Sequence, residues 1–277
     1  MGIRTIYVKP KDFHINVKLL EISLIPKYRL GILFVLRLSG NLSEMSMNEQ
    51  SKRIQTSFLN SLEKKVLIWL AERQPKWMTS DILTYIGTVG AIMIAIGYIL
   101  SMNNINYLWL STLGFVVNWY GDSLDGTLAR VRNTQRPIYG YYIDHTVDAV
   151  NEVLIFMGVG LSGLMHLEFA LLALVAYFMI TINVSINAHL KKEFKLTYAG
   201  MGPTEFRLIM IIINTIFIYS ERIREFVIHV HVFDRQLTLA SMDIIAIIMT
   251  VILFAIYFYD IIHDAKGYAE IDPLKKF

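Results

Sequence analysis

Four aspartates stand in one short stretch between long apolar runs: Asp122, Asp125, Asp144 and Asp148 in GDSLDGTLARVRNTQRPIYGYYIDHTVDAV. Asp122, Asp125 and Ala129 are spaced i, i+3, i+7 and so share one stripe of a helix. Gly140, Asp144 and Asp148, at i, i+4, i+8, share one stripe of the next. A short basic break joins the two helices, so antiparallel packing turns the stripes toward each other. A carboxylate deep in a bilayer costs about 2.5–3.5 kcal/mol on insertion scales, so four of them require neutralisation. Four hard oxygen donors match two divalent cations such as Mg²⁺ or Mn²⁺. Gly126 and Gly140 leave room for a ligand or a backbone to approach closely. Arg130 sets a fork of donors at the mouth, a geometry that grips phosphate. A single aspartate in such a helix is ordinarily a cap or an interhelical hydrogen bond, and a pair at i, i+4 serves a proton or cation relay. All four, with both glycines and Arg130, exceed what either explanation predicts.

The elements that must hold these groups follow from composition and hydropathy. The chain has 277 residues, 55% hydrophobic and 18% charged, with a mean hydropathy of +0.47. A soluble domain carries about a quarter charged residues, so composition points to a membrane protein. The absence of cysteine excludes disulfides, zinc–thiolate sites, iron–sulfur clusters and thiol nucleophiles. A net charge of +3 gives no indication of nucleic acid as a partner. The expected fold class is all-α and integral to the membrane, with six transmembrane helices at about 82–101, 105–124, 141–163, 166–189, 205–220 and 239–262. Arg130, Arg132 and Arg136, then Lys191, Lys192 and Lys195, then the tail lysines Lys266, Lys275 and Lys276 fall on one side of such a six-span arrangement. The positive-inside rule makes that side cytoplasmic. The 220–238 loop, with Arg222, Arg224 and Arg235 among acidic residues, dissents.

Residues 51–72 read as an amphipathic helix, with Phe58, Leu62, Val66 and Trp69 at helical spacing and Lys52, Arg53, Lys64 and Lys65 on other faces. Such a helix lies in the membrane interface or packs on a soluble partner. Residues 1–45 carry seven basic and three acidic residues and an apolar run, Leu30–Leu38, too short to span. They read either as a peripheral segment or as an extension upstream of a start at Met45 or Met47. The expected division is therefore 1–46 as N-terminal extension, 47–80 as interfacial helix and linker, 81–265 as six-helix domain and 266–277 as cytoplasmic tail.

Asp122-x-x-Asp125-Gly126-x-x-Ala129-Arg130 followed by Gly140-x-x-x-Asp144-x-x-x-Asp148 resembles the CDP-alcohol phosphotransferase signature, with every signature position filled. The resemblance extends over about residues 77–262. Trp77-Met78 and Leu83-Thr84-x-x-Gly87 look like the family's entry to the first span, with Ser80-Asp81 where Pro-Asn is common. It implies a six-helix homodimeric membrane enzyme of phospholipid biosynthesis that joins a CDP-linked donor to an alcohol and releases CMP. Position by position, it implies that Asp122, Asp125, Asp144 and Asp148 serve two metal ions and that Asp148 is the base for the acceptor hydroxyl. Gly126 and Ala129 would line the nucleotide and Arg130 would contact phosphate.

Other polar residues lie at the same level. Asn118, one turn before Asp122, either touches cytosine or bonds across helices. Glu205 and Arg207 open the fifth span and form either an acceptor or phosphate pocket, or an interfacial ion pair. His145 follows Asp144 as in eukaryotic choline and ethanolamine phosphotransferases, which makes its imidazole a second candidate base. Two donors stay open: CDP-diacylglycerol with a small polar alcohol, or a CDP-amino alcohol with diacylglycerol. The compact six-span form resembles bacterial inner-membrane enzymes, which mostly use the first. A divalent-cation transporter is the competing class, opposed by the guanidinium charges at the mouth.

Overall fold

The computed structural model describes residues 52–54, 60–191, 193–195, 202–232 and 235–274. The expectation for residues 1–46 lies outside them. Among the described residues seven long helices carry the fold: α1 (Asn60–Glu72), α2 (Ser80–Leu100), α3 (Leu108–Val131), α4 (Pro137–Gly160), α5 (Leu167–Lys191), α6 (Pro203–Tyr219) and α7 (Ser241–Ile271). A short parallel pair joins β1 (Lys52–Ile54) to β2 (Glu193–Lys195), and β3 (Val227–Val232) forms a hairpin with β4 (Arg235–Ala240). The hairpin occupies what the sequence presents as a charged loop.

The packing centre is α2, which lies against α3 and α4. Small residues make this contact close, as is usual where helices pack in lipid. A Cβ built on Gly121 would stand 2.2 Å from the Gly87 nitrogen, and one on Gly158 would stand 2.4 Å from Ala95 Cα. Backbones this near let short polar side chains cross between helices. Ser111 Oγ donates to the Ile94 carbonyl at 2.9 Å, and Ser80 Oγ to the Asp125 carbonyl at 3.0 Å. Around this core, α3 packs on α6, α4 on α5, and α5 on α7.

Two apolar clusters fill the interior. One joins Ile94, Tyr98, Leu108, Phe115, Val159, Met210, Phe217 and Met242. The other places Leu67 and Ala71 of α1 on Leu83, Leu124 and Leu128. α1 is further held by Glu63, which accepts hydrogen bonds from Trp119 Nε1 at 2.9 Å and Thr204 Oγ1 at 2.6 Å. Leu62, Val66 and Trp69 of α1 remain exposed. Of the helix expected over 51–72, the described residues show Asn60–Glu72 as helix and Lys52–Ile54 paired as a strand.

Among the described residues three helices are long and apolar enough to cross a membrane: Ser80–Leu100, Leu167–Leu190 and Ser241–Ile271. Six are expected from the sequence. The physical reason for the difference is local: α3 carries Asp122, Asp125 and Arg130, α4 carries Asp144, Asp148 and Glu152, and α6 has 17 residues. α7 continues through Ile271, so residues 266–271 are helical. Its apolar side chains Val251, Phe258, Tyr259 and Ile262 are more than half exposed, the surface a helix presents to lipid.

Candidate active site

The site lies where the C-terminal turns of α3 meet the N-terminal turns of α2, α4 and α6. Five residues, 132–136, separate α3 from α4. The reversal is tight because Asn133 adopts a positive φ of 54°, a conformation asparagine tolerates better than most side chains. Arg132 ties this turn to the 74–78 linker, donating to the carbonyls of Met78, Gln74 and Pro75. Arg136 pairs with Asp81 at the start of α2 and stacks over the Tyr139 ring at 4.0 Å. The Asp81 carboxylate holds the Arg136 guanidinium above its already high ordinary value.

The two helical stripes face each other. Carboxylate oxygens of Asp122, Asp144 and Asp148 lie within 4.8 Å of one another. Like charges this close require a cation or shared protons. The donors are all hard oxygens, with no sulfur among them, and this set fits Mg²⁺ or Mn²⁺. Asp125 is set slightly apart. Its Oδ2 accepts from Thr84 Oγ1 at 2.7 Å, its Oδ1 from the Gly126 amide, and it remains within electrostatic reach of Asp122 and Asp144.

A model of the CDP-alcohol phosphatidyltransferase family matches residues 77–263, more than half of the chain. The chain belongs to this family. A phosphatidylinositol phosphate synthase from Cutibacterium acnes (strain DSM 16379 / KPA171202) is 35% identical over 86 residues, which is 30% of this chain and 38% of that protein. The chain thus spans well under half the length of this relative. The family, together with the three apolar helices, makes the chain an integral membrane protein.

Within this CDP-alcohol phosphatidyltransferase domain, Arg207 reaches the aspartates. Its Nη2 donates to Asp122 Oδ2 at 2.5 Å and its Nε to Asn118 Oδ1 at 2.9 Å. Asn118 is 2% exposed and its Nδ2 donates to the Gly87 carbonyl at 2.9 Å. Both functional atoms of the Asn118 amide thus make interhelical bonds. Arg207 does not pair with Glu205, whose Oε2 instead accepts from the Gly202 amide at 2.8 Å and caps α6.

The remaining signature residues line the mouth. Gly140 has open space where a Cβ would stand. Arg130 is exposed and its Nη2 donates to Thr127 Oγ1 at 2.8 Å; Gly126 and Ala129 are half-buried beside it. His145 turns back along α4: its Nδ1 is 3.0 Å from the Tyr141 carbonyl and its ring stacks on Tyr141 at 4.0 Å. A carbonyl only accepts, so Nδ1 carries the proton in that contact.

Glu152 and Tyr177 are additions that the sequence reading missed. Glu152 continues the α4 stripe one turn beyond Asp148 and lies within electrostatic reach of Tyr177 of α5. The i+4 spacing from Asp148 was the available signal. Thr84, which holds Asp125, stands in the Leu83-Thr84-x-x-Gly87 motif, but the motif alone does not show that contact.

Proposed function

We propose that this chain is a membrane-embedded phosphotransferase of phospholipid biosynthesis that transfers a phosphatidyl group from CDP-diacylglycerol to an alcohol and releases CMP. The observation that carries this reading is the closure of Asp122, Asp144 and Asp148 to within 4.8 Å inside a complete family signature. The name of the Cutibacterium acnes relative describes a product that joins a phosphatidyl group to an inositol phosphate. That supports CDP-diacylglycerol as donor here, with a polyol or polyol phosphate as acceptor. The amino-alcohol alternative draws on His145, which hydrogen-bonds within its own helix, and on the Gly202-Pro203-Thr204-Glu205 turn, where Glu205 caps α6.

Asp122, Asp125, Asp144 and Asp148 would hold two divalent ions, Mg²⁺ or Mn²⁺. Bound there, the ions would neutralise the diphosphate and stabilise the charge on the departing CMP. Arg130 would contact phosphate, with Gly126 and Ala129 leaving the nucleotide room. Asp148 would accept the proton of the acceptor hydroxyl as its oxygen attacks the phosphorus that carries the lipid. That P–O bond forms while the bond to the CMP oxygen breaks. Thr84 would hold Asp125 in orientation, and Asn118 would fix α3 against α2.

In the same reading all six helices α2 to α7 cross the bilayer, the aspartates face the cytoplasm, and α1 lies in the interface with Leu62, Val66 and Trp69 toward lipid. The enzyme would work as a homodimer in a bacterial inner membrane.

The test is CMP release by the purified protein in detergent with Mg²⁺, CDP-diacylglycerol and a panel of alcohols. Release that requires one polyol acceptor is expected. Release only from a CDP-amino alcohol with diacylglycerol would overturn the donor assignment. Because the chain has no native cysteine, topology can be read directly. Cysteines placed at Asn133 and Asn103 should be labelled from opposite sides, and labelling from one side would refute the six-span arrangement.

A further inference from the structure

Two ionisable residues outside the family signature lie within electrostatic reach of the aspartate cluster, Arg207 and Glu152. Arg207 comes from the second turn of α6 with 14% side-chain exposure, and it bonds Asp122 and Asn118. Asn118 is itself fixed on the Gly87 carbonyl of α2, so the guanidinium is held by two side chains of α3, one of them anchored to α2. Glu152 stands one turn beyond Asp148, with one oxygen toward Tyr177. Its Oε2 is buried and has no hydrogen-bond partner among the described residues. Asp148 lies within electrostatic reach of both Glu152 and Arg207.

Each of these groups is costly where it stands when ionised. A guanidinium away from water and a carboxylate oxygen without a donor are both penalised. Charge explains why they occur together. The four signature aspartates carry −4, the charge that two divalent cations balance. Arg207 alone would reduce the site to −3 and also engage an oxygen of Asp122. Glu152, when it ionises beside a bound cation, returns it to −4.

We infer that Arg207 and Glu152 form a counter-charge pair that sets the affinity of the aspartate site for divalent cations. Arg207 weakens cation binding by sharing Asp122, and Glu152 offsets it. The inference rests on the reading of the aspartates as a divalent-cation site. Arg207 acting only to orient Asp122 is the simpler alternative, and it predicts the opposite sign when the charge is removed.

Mn²⁺ binding to the full-length protein in detergent, followed by loss of the free-ion EPR signal, separates these readings without any turnover. Arg207→Gln should bind Mn²⁺ at least about tenfold more tightly, and Glu152→Gln at least about threefold more weakly. The double variant should return to within about threefold of the unaltered protein. Arg207→Lys keeps the charge and should also stay within about threefold. Weaker or unchanged binding in Arg207→Gln overturns the inference, and so does tighter or unchanged binding in Glu152→Gln. If Arg207→Gln fails to fold, the Glu152→Gln and Arg207→Lys measurements decide alone. Unaltered protein that binds no Mn²⁺ overturns the divalent-site reading and this inference together. Unaltered protein that binds, with variants of the wrong sign, overturns the pair alone.

Discussion

The two ends of the helix bundle each bury a carboxylate, and they treat it in opposite ways. At the far end Asp243 of α7 is 0% exposed. It accepts from the His166 amide and ring nitrogen, both at 2.7 Å, and from the Ala240 amide at 2.8 Å. Protein donors satisfy it. At the other end Asp122, Asp144 and Asp148 stand within 4.8 Å of one another, with one guanidinium among them. The far end uses a carboxylate to clamp the α4–α5 turn onto the start of α7. The aspartate end leaves carboxylates facing each other. In the proposed function, stability belongs to the first and chemistry to the second.

Substitutions at the two ends should therefore separate activity from stability. Asp144→Asn or Asp148→Asn should lower turnover by about 10³-fold or more. Thermal unfolding in detergent should be unchanged or slightly raised, because like-charge repulsion is relieved. Retained turnover in either variant would erase the contrast. Asp243→Ala should do the reverse. Removing an acceptor from three donors costs on the order of 3 kcal/mol, seen as a lower unfolding temperature, while activity per folded molecule persists. An unaltered unfolding temperature would show that the clamp contributes nothing.

The smallest effect distinguishes the two candidate bases. His145 bonds the Tyr141 carbonyl and stacks on that ring, so His145→Ala should keep more than about a tenth of turnover, where loss of a general base costs about 10²–10⁴. The acidic limb of the pH–rate curve should also survive. A thousandfold slower enzyme with intact CMP binding would assign the base to His145 and favour the amino-alcohol branch.

Much of this was legible before any coordinates. Helical spacing alone places Asp122 and Asp125 on one stripe and Asp144 and Asp148 on another, and a short joint turns the stripes together. The partners across helices were not legible. Asn118 bridges Gly87 and Arg207 because Gly87 and Gly121 allow the backbones to touch, and that approach depends on tertiary packing. Arg207 lands on Asp122 only because α6 packs against α3. The role of His166 is not visible in the sequence, since its partner, Asp243, lies 77 residues away. The β3–β4 hairpin was hidden by the charges around it, although His229, His231, Gln236 and Thr238 alternate with apolar neighbours as strand residues do.

The most direct test of the central claim runs the reaction backwards. Purified protein in detergent is given Mg²⁺, radiolabelled CMP and phospholipid extract, with and without EDTA, beside the Asp148→Asn variant. The account predicts a labelled CDP-lipid that forms only with the unaltered protein and the free divalent ion. A labelled CDP-lipid formed equally well in EDTA, or by Asp148→Asn, would contradict it.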